Sequence, residues 1–296
     1  YNAFLNDVAP EEVRGGLSGL GFAVGYVGGG LCLALNLVML SKPGLFGLAG
    51  PDGTLPARAS VLVAGMWWLI FSIPAIAILK DRPVRAATGP ARGSYRVFLD
   101  ALKEVRSRPD LGRFLLAYLI YDDGVQTVLL MASIFGAKAL GMSAASIAAC
   151  YLMIQFVAFV GALTAGRVAD RVGHKRVVVV TLSLFLAAVI WGAFVRTPGE
   201  FWVLGAVVGL VMGGVQAASR SLYSLLIPAE KTGELFALFS IVGKAASLVG
   251  PFVFGLAAQF LGLRPAVAVI GVFFVIGMAI LAGVNEERGR AGARIG

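Results

Sequence analysis

Eight apolar runs, each near twenty residues, set what this chain can fold into. They lie at about Leu17–Leu40, Val61–Leu79, Leu111–Phe135, Ser143–Ala165, Val177–Val195, Phe201–Tyr223, Leu235–Phe260 and Pro265–Val284. A helix rises about 1.5 Å per residue, so runs of this length cross a hydrocarbon core about 30 Å thick. Backbone groups in lipid must bond one another, which leaves helices or closed barrels. Barrel strands alternate over about ten residues, and these runs do not alternate. The reading is an all-α membrane protein. Only 14% of residues are charged, against about 25% in soluble domains.

The basic residues sort by side. Nineteen fall on one face of the predicted topology: Arg14, the linker from Lys80 to Arg113, the loop Arg167–Arg176, Arg220, Lys231 and the tail arginines. Five fall on the other, and Lys244 lies within a span. Excess Lys and Arg marks the cytoplasmic face, so both ends of the chain are expected there. A solvated basic face accounts for the net charge of +9 without nucleic acid. Cys32 and Cys150 sit in apolar runs without redox or metal-ligand spacing, and His174 is the single histidine, so no metal site is expected.

A repeat suggests how the spans are grouped. Shifted by 218 residues, Pro10-Glu11-Glu12-Val13-Arg14-Gly15-Gly16-Leu17 falls on Pro228-Ala229-Glu230-Lys231-Thr232-Gly233-Glu234-Leu235, with Pro, Glu, Gly and Leu matching. The first span then corresponds to the seventh and the second to the eighth. Two parallel six-span halves follow if four spans precede Tyr1, giving eight of twelve helices here and four N-terminal ones missing. On that reading, 1–80 completes an N-terminal half and 81–110 is a cytoplasmic linker. Its stretch Ala86–Gly93 reads as flexible, and a surface helix follows with Tyr95, Phe98, Leu99, Leu102 and Val105 on one face. Residues 111–284 form the C-terminal half, and 285–296 is a disordered cytoplasmic tail.

The third span carries adjacent acids, Asp122 and Asp123, near the middle of the bilayer. A charge there costs at least about 2.5 kcal/mol by insertion scales, so the acids are expected to face a cavity, a cation or an ion. Lys244 lies about 14 Å inside the seventh span, at nearly the same depth. It is the expected partner, either in a static pair that fixes packing or in a transport cavity where a proton or zwitterion breaks the pair. Tyr121, Gln126 and Gln216 are the neutral groups placed to line such a cavity. Arg220, at the end of the sixth span, is expected to snorkel. The series Gly205, Gly209, Gly213 and Gly21, Gly25, Gly29 let helices approach closely. Gly250-Pro251 suggests a bend in the seventh span.

The loop Gly166-Arg167-Val168-Ala169-Asp170-Arg171-Val172-Gly173-His174-Lys175-Arg176 joins the fourth and fifth spans. Its glycines permit a tight turn and its bases suit the anionic leaflet. Asp170 does neither; the helix start near Gly15 and Gly16 is a suitable partner, worth about 0.3–1 kcal/mol. An ordinary positive-inside loop is the plain alternative.

That loop resembles the cytoplasmic motif of the major facilitator superfamily, with His174 where a basic residue is usual. The resemblance implies that Gly166, Asp170, Arg171, Gly173, Lys175 and Arg176 form a latch between halves. Tyr121-Asp122-Asp123-Gly124-Val125-Gln126-Thr127 is similar to a signature of the vacuole-effluxer-like family, as is Gly213-Gly214-Val215-Gln216-Ala217-Ala218-Ser219-Arg220-Ser221-Leu222 running on to Gly243-Lys244. That family includes autophagy-related amino-acid exporters, and its first acid position is often Asn, which favours Asp123. The expectation is a secondary transporter of the major facilitator fold, working by alternating access as a monomer. It would be proton-coupled and would export or exchange a small molecule, an amino acid by resemblance, across a bacterial inner membrane. Asp123 would couple to proton or amine, Lys244 would pair with it, and Asp122 would be dispensable. The alternatives are a drug or metabolite exporter of the same fold and a non-transporting scaffold or receptor. No cofactor is expected. No nucleophile–base pair, metal cluster or phosphate loop points to an enzyme.

Overall fold

The computed structural model describes residues 2–49, 53–79 and 94–295. The expected flexible stretch Ala86–Gly93 lies outside them. Among the described residues eight helical stretches are long and apolar enough to cross a membrane. The first six spans are single helices: α1 (Arg14–Ser41), α2 (Leu55–Ile78), then, after a surface helix α3 (Ser94–Ser107), α4 (Pro109–Leu140), α5 (Ala144–Val172), α6 (His174–Gly192) and α7 (Pro198–Leu226). The seventh is broken into α8 (Thr232–Ala245) and α9 (Val249–Leu261), and the eighth into α10 (Leu263–Val269) and α11 (Gly271–Ala282).

Local chemistry sets several boundaries. Ser143 caps α5 by accepting the Ser146 amide at 3.2 Å, and Thr197 with Glu200 forms a capping box at α7. The two matched segments share a local geometry. Pro10 and Pro228 are both extended, and each leads through one short 3-10 turn into a span.

Small residues set the packing. α7 lies against α5 through Gly205, Gly209 and Gly213, and Gly213 meets the Ala158 carbonyl where a side chain would sit. Such contact between backbones is how helices associate where lipid supplies no hydrophobic drive. On α1 the face in contact is not the expected one, except that Gly29 meets the Gln155 side chain of α5. Gly15 and Gly19 press on Gly166 and Ala162 of α5, whereas Gly25 has open space beside it. The buried stripe Gly15, Ser18, Gly19, Ala23, Tyr26, Gly30 follows the 3.6-residue period, which Gly21, Gly25 and Gly29 do not share.

The tail is a second correction. Residues 286–295 form a helix, α12 (Glu286–Ile295), rather than a disordered segment. Asn285 caps it by accepting the Arg288 amide at 2.9 Å. Arg288 reaches Asp110 at 2.6 and 2.7 Å, and Arg290 and Arg294 reach Glu11 at 3.0 and 2.7 Å. The helix is thereby tied to the starts of both α1 and α4.

Candidate functional site

The break in the seventh span organises the site. Residues 246–248 leave the helix, so α9 begins inside the membrane with unsatisfied amides. Pro251 at its third position has no N–H to offer, but Val249 and Gly250 do. Asp123 supplies the acceptor: Gly250 N–H donates to both carboxylate oxygens, at 3.0 and 2.9 Å, and Val249 contributes a further amide. Gly250 is glycine for a steric reason, since Thr127 Oγ1 and the Asp123 carboxylate occupy the space of a side chain. Thr127 itself donates to the Asp123 carbonyl at 2.6 Å.

Asp122 points elsewhere, as the ~100° turn per residue requires. It is equally buried, at 4% exposure. Gln126 Nε2 donates to it at 3.4 Å, and its charge reaches the phenols of Tyr26, Tyr118 and Tyr121. Tyr121 shares a 2.7 Å hydrogen bond with Ser219 of α7. Tyr26 of α1 donates to Gln216 Oε1 at 2.6 Å. The structure thus brings Tyr121, Gln126 and Gln216 around the acids, and adds Tyr26 and Ser219.

Lys244 is not brought to them. It is exposed, and among the described residues no ion pair joins it to Asp122 or Asp123. The expected pairing treated the seventh span as one straight helix. The break instead presents amides to Asp123. Gly243, not Lys244, is the residue of that turn facing α4, against Tyr118, and Lys244 is turned about 100° away. Arg220 does not snorkel either. It is 5% exposed, with Nε and Nη2 on the Ser18 hydroxyl and carbonyl at 2.9 and 2.7 Å. Its guanidinium also lies 4.3 Å from the Phe22 ring centre.

At the basic face Asp170 caps α1, accepting the Gly15 and Gly16 amides at 2.7 Å each. Gly166 lets the helices close at this point, against the Gly15 carbonyl. Gly173 has φ +99°, which only glycine adopts without strain, and it turns the chain into α6. His174 then lies between two carboxylates, Nε2 at 3.5 Å from Asp170 and Nδ1 at 3.3 Å from Glu286. Lys175 Nζ donates to the carbonyls of Ala282 and Val284 at 2.9 and 2.6 Å. Arg171 and Arg176 are exposed, and Arg176 Nη1 donates to the Val172 carbonyl at the end of α5 at 3.4 Å. Burial pushes the Glu286 carboxyl up, but its hydrogen bonds to His174 and the Lys175 amide outweigh this and hold it below its ordinary 4.5. Glu104 of α3 is also lowered, by Lys231 first and then Arg108. The sequence signal for α12 was present in Asn285 followed by Glu286 and Glu287, a helix-start pattern.

The comparisons agree with this architecture. The family profile described as "Vacuole effluxer Atg22 like" matches residues 6–294. The MFS-type transporter YxiO of Bacillus subtilis (strain 168) is 31% identical over 295 residues, covering 97% of this chain and 67% of that protein. Autophagy-related protein 22 of Yarrowia lipolytica is 28% identical over 311 residues, covering 94% of this chain and 52% of that protein. The chain therefore spans about two thirds of the bacterial relative and about half of the fungal one. Among solved structures, the fucose:proton symporter FucP of E. coli superposes with TM-score 0.68 at 14% identity, over 96% of this chain and 72% of that one. The human organic anion transporter MFSD10 superposes with TM-score 0.62 at 17% identity, over 95% and 66%. At these identities the likeness is one of fold, and that fold is the major facilitator one.

Proposed function

The chain belongs to the vacuole effluxer Atg22-like family, and from that premise we propose that it carries the coupling site of a secondary transporter that works by alternating access. The relatives are transporters rather than enzymes, and the eight apolar spans make this an integral membrane protein. On this reading α1 and α2 belong to one half and α4 to α11 to the other, and the halves rock about the midplane. The carrier acts as a monomer in a bacterial inner membrane, with its basic face in the cytoplasm.

One observation carries the coupling role. Two adjacent carboxylates are buried mid-span, and among the described residues no cation pairs with either. An uncompensated buried charge is expensive. A proton, or a cationic group of the substrate, is what remains to balance it. Asp123 is the carboxylate whose loss of charge has a mechanical consequence, because it holds the start of α9. Asp122 faces Gln126 and the phenols, which suits a substrate amine. Asp170 with Gly166 and Gly173 forms the latch between halves; Lys175 anchors the loop to the end of the eighth span, and Arg171 and Arg176 face the lipid surface. The substrate class that fits the family's description is a zwitterionic amino acid, moved outward.

The test uses the full-length protein in proteoliposomes under an imposed pH gradient, with a panel of labelled amino acids. Gradient-driven flux that is lost in Asp123→Asn, with the protein still folded, is the expected result. Flux unchanged in both Asp123→Asn and Asp122→Asn sinks the coupling site. Flux of no amino acid, with a drug or metabolite carried instead, moves the substrate to another exporter class.

A further inference from the structure

One turn of α7 touches both the acid-bearing helix and α1. Gln216 and Arg220 are four residues apart and share a face. Both meet α1: Gln216 through the Tyr26 hydroxyl at 2.6 Å, Arg220 through Ser18 and the Phe22 ring. Ser219, between them in sequence, projects to α4 and bonds Tyr121 at 2.7 Å. Tyr121 is the immediate neighbour of Asp122. Ser18 completes the ring by donating to the Ala217 carbonyl of the same α7 turn at 2.8 Å. Farther toward the basic face, Arg14 donates to the Ser224 carbonyl at 3.1 Å.

The pattern is antiparallel and regular. Arg14, Ser18, Phe22 and Tyr26 recur every four residues on α1. They face Ser224, Arg220 and Gln216, which recur every four on α7. The centre of the seam is buried, Ser18 and Ser219 fully and Arg220 nearly so, while Arg14, Phe22 and Gln216 are half-buried. A guanidinium in such surroundings exchanges its partners only for others as good, since no water replaces them. The contact is therefore held or released as a unit, not loosened by degrees.

We propose that the α7 turn Gln216–Arg220 transmits the state of the acid site on α4 to the contact with α1, with Ser219 and Arg220 as positioning residues. This rests on the transport reading above. A proton arriving at Asp122 removes the negative charge that acts on the phenols of Tyr121 and Tyr26, and a cationic ligand there draws on the same phenol oxygens. Loss of the Tyr121–Ser219 and Tyr26–Gln216 bonds frees the turn to rotate, and Arg220 then leaves Ser18. The contact between the halves opens at its inner end first.

The test reads the seam without any substrate. In the full-length, detergent-purified protein, Cys32 and Cys150 are replaced by alanine and Ser224→Cys serves as a buried reporter, labelled with N-ethylmaleimide. Arg220→Lys keeps the charge but cannot hold both Ser18 oxygens in the same fork. Loss of a charged hydrogen bond should raise the labelling rate roughly tenfold. Asp122→Asn should also change the rate, and that change should vanish when Ser219→Ala is present. Tyr121→Phe, which removes the other end of the same bond, should behave as Ser219→Ala does, and the two together should add nothing. These two variants keep the test open if Arg220→Lys fails to fold. Equal effects of Asp122→Asn with and without the Ser219 hydroxyl overturn the proposal, as does a labelling rate indifferent to Arg220→Lys in folded protein. Failure here with intact gradient-driven flux sinks only the transmission role. Absent flux with the labelling pattern as expected sinks the transport reading instead.

Discussion

Asp123 holds two roles that mutation can separate. Its carboxylate closes the start of α9, and its charge is the proposed coupling group. Asp123→Ala leaves the Gly250 and Val249 amides without an acceptor, inside a membrane where water does not replace it. Each orphaned donor costs about 1–3 kcal/mol, so the substitution should cost about 2–6 kcal/mol. Asp123→Asn keeps one oxygen for Gly250 and loses only the charged character of the bond, about 1–2 kcal/mol. On a chain of this size the alanine variant should melt roughly 4–12 °C below wild type, with asparagine between the two. The assay is thermal unfolding of the detergent-purified full-length protein, paired with hydrogen exchange at 249–252. Both variants should lose gradient-driven flux equally. Gly250→Ala gives an independent check: it keeps the acid but drives a methyl into Thr127 and the carboxylate, so it should destabilise by a similar amount. An alanine variant as stable as wild type, or no difference between alanine and asparagine, refutes the cap.

Three further expectations are checked by the same melts. Gly15→Ala sets a methyl against the Gly166 carbonyl and the Asp170 carboxylate, whereas Gly25→Ala meets open space; the first should cost about 1–3 kcal/mol and the second stay within about 0.5. Glu286 is held below its ordinary 4.5 when folded, so its contribution is full above that pH and is lost as the pH falls below it. The stability gap between wild type and Glu286→Gln should therefore be widest near neutrality and close as the pH falls below the ordinary 4.5; a gap that widens in acid contradicts the assignment. Lys244→Ala should change stability by no more than about 0.5 kcal/mol, because the side chain is exposed, whereas a loss of about 3 kcal/mol or more would mean a buried ion pair after all.

What the sequence made legible follows from the range of the forces involved. The spans were readable because lipid imposes length and apolarity on each one separately. Asp170 was readable because only a helix start suited a lone acid in a basic loop, and Gly15 and Gly16 offered one. The acids were readable because charge is rare at that depth. Their partner was not. Depth alone placed Lys244 beside them, but depth ignores bearing, and Gly243 took the inward position. The residues around Gly250-Pro251 announced a bend without saying which group would meet the freed amides. Asp123 could meet them only once α4 and the broken span were packed together. Arg220 failed for a related reason. A long basic side chain near a helix end snorkels when lipid surrounds it, yet here α1 covers it and Ser18 and Asn2 satisfy it. For the acids the sequence named the costly group correctly and its partner wrongly; for Arg220 it did not mark the group as buried at all. The partner of a buried charge is chosen by backbone amides and hydroxyls that a count of charged residues never sees. That is also why the inner end of the seam, Tyr26 with Gln216 and Tyr121 with Ser219, is the place to look for coupling. It is built from neutral groups, which can exchange partners with a proton or a ligand at far smaller cost than an ion pair.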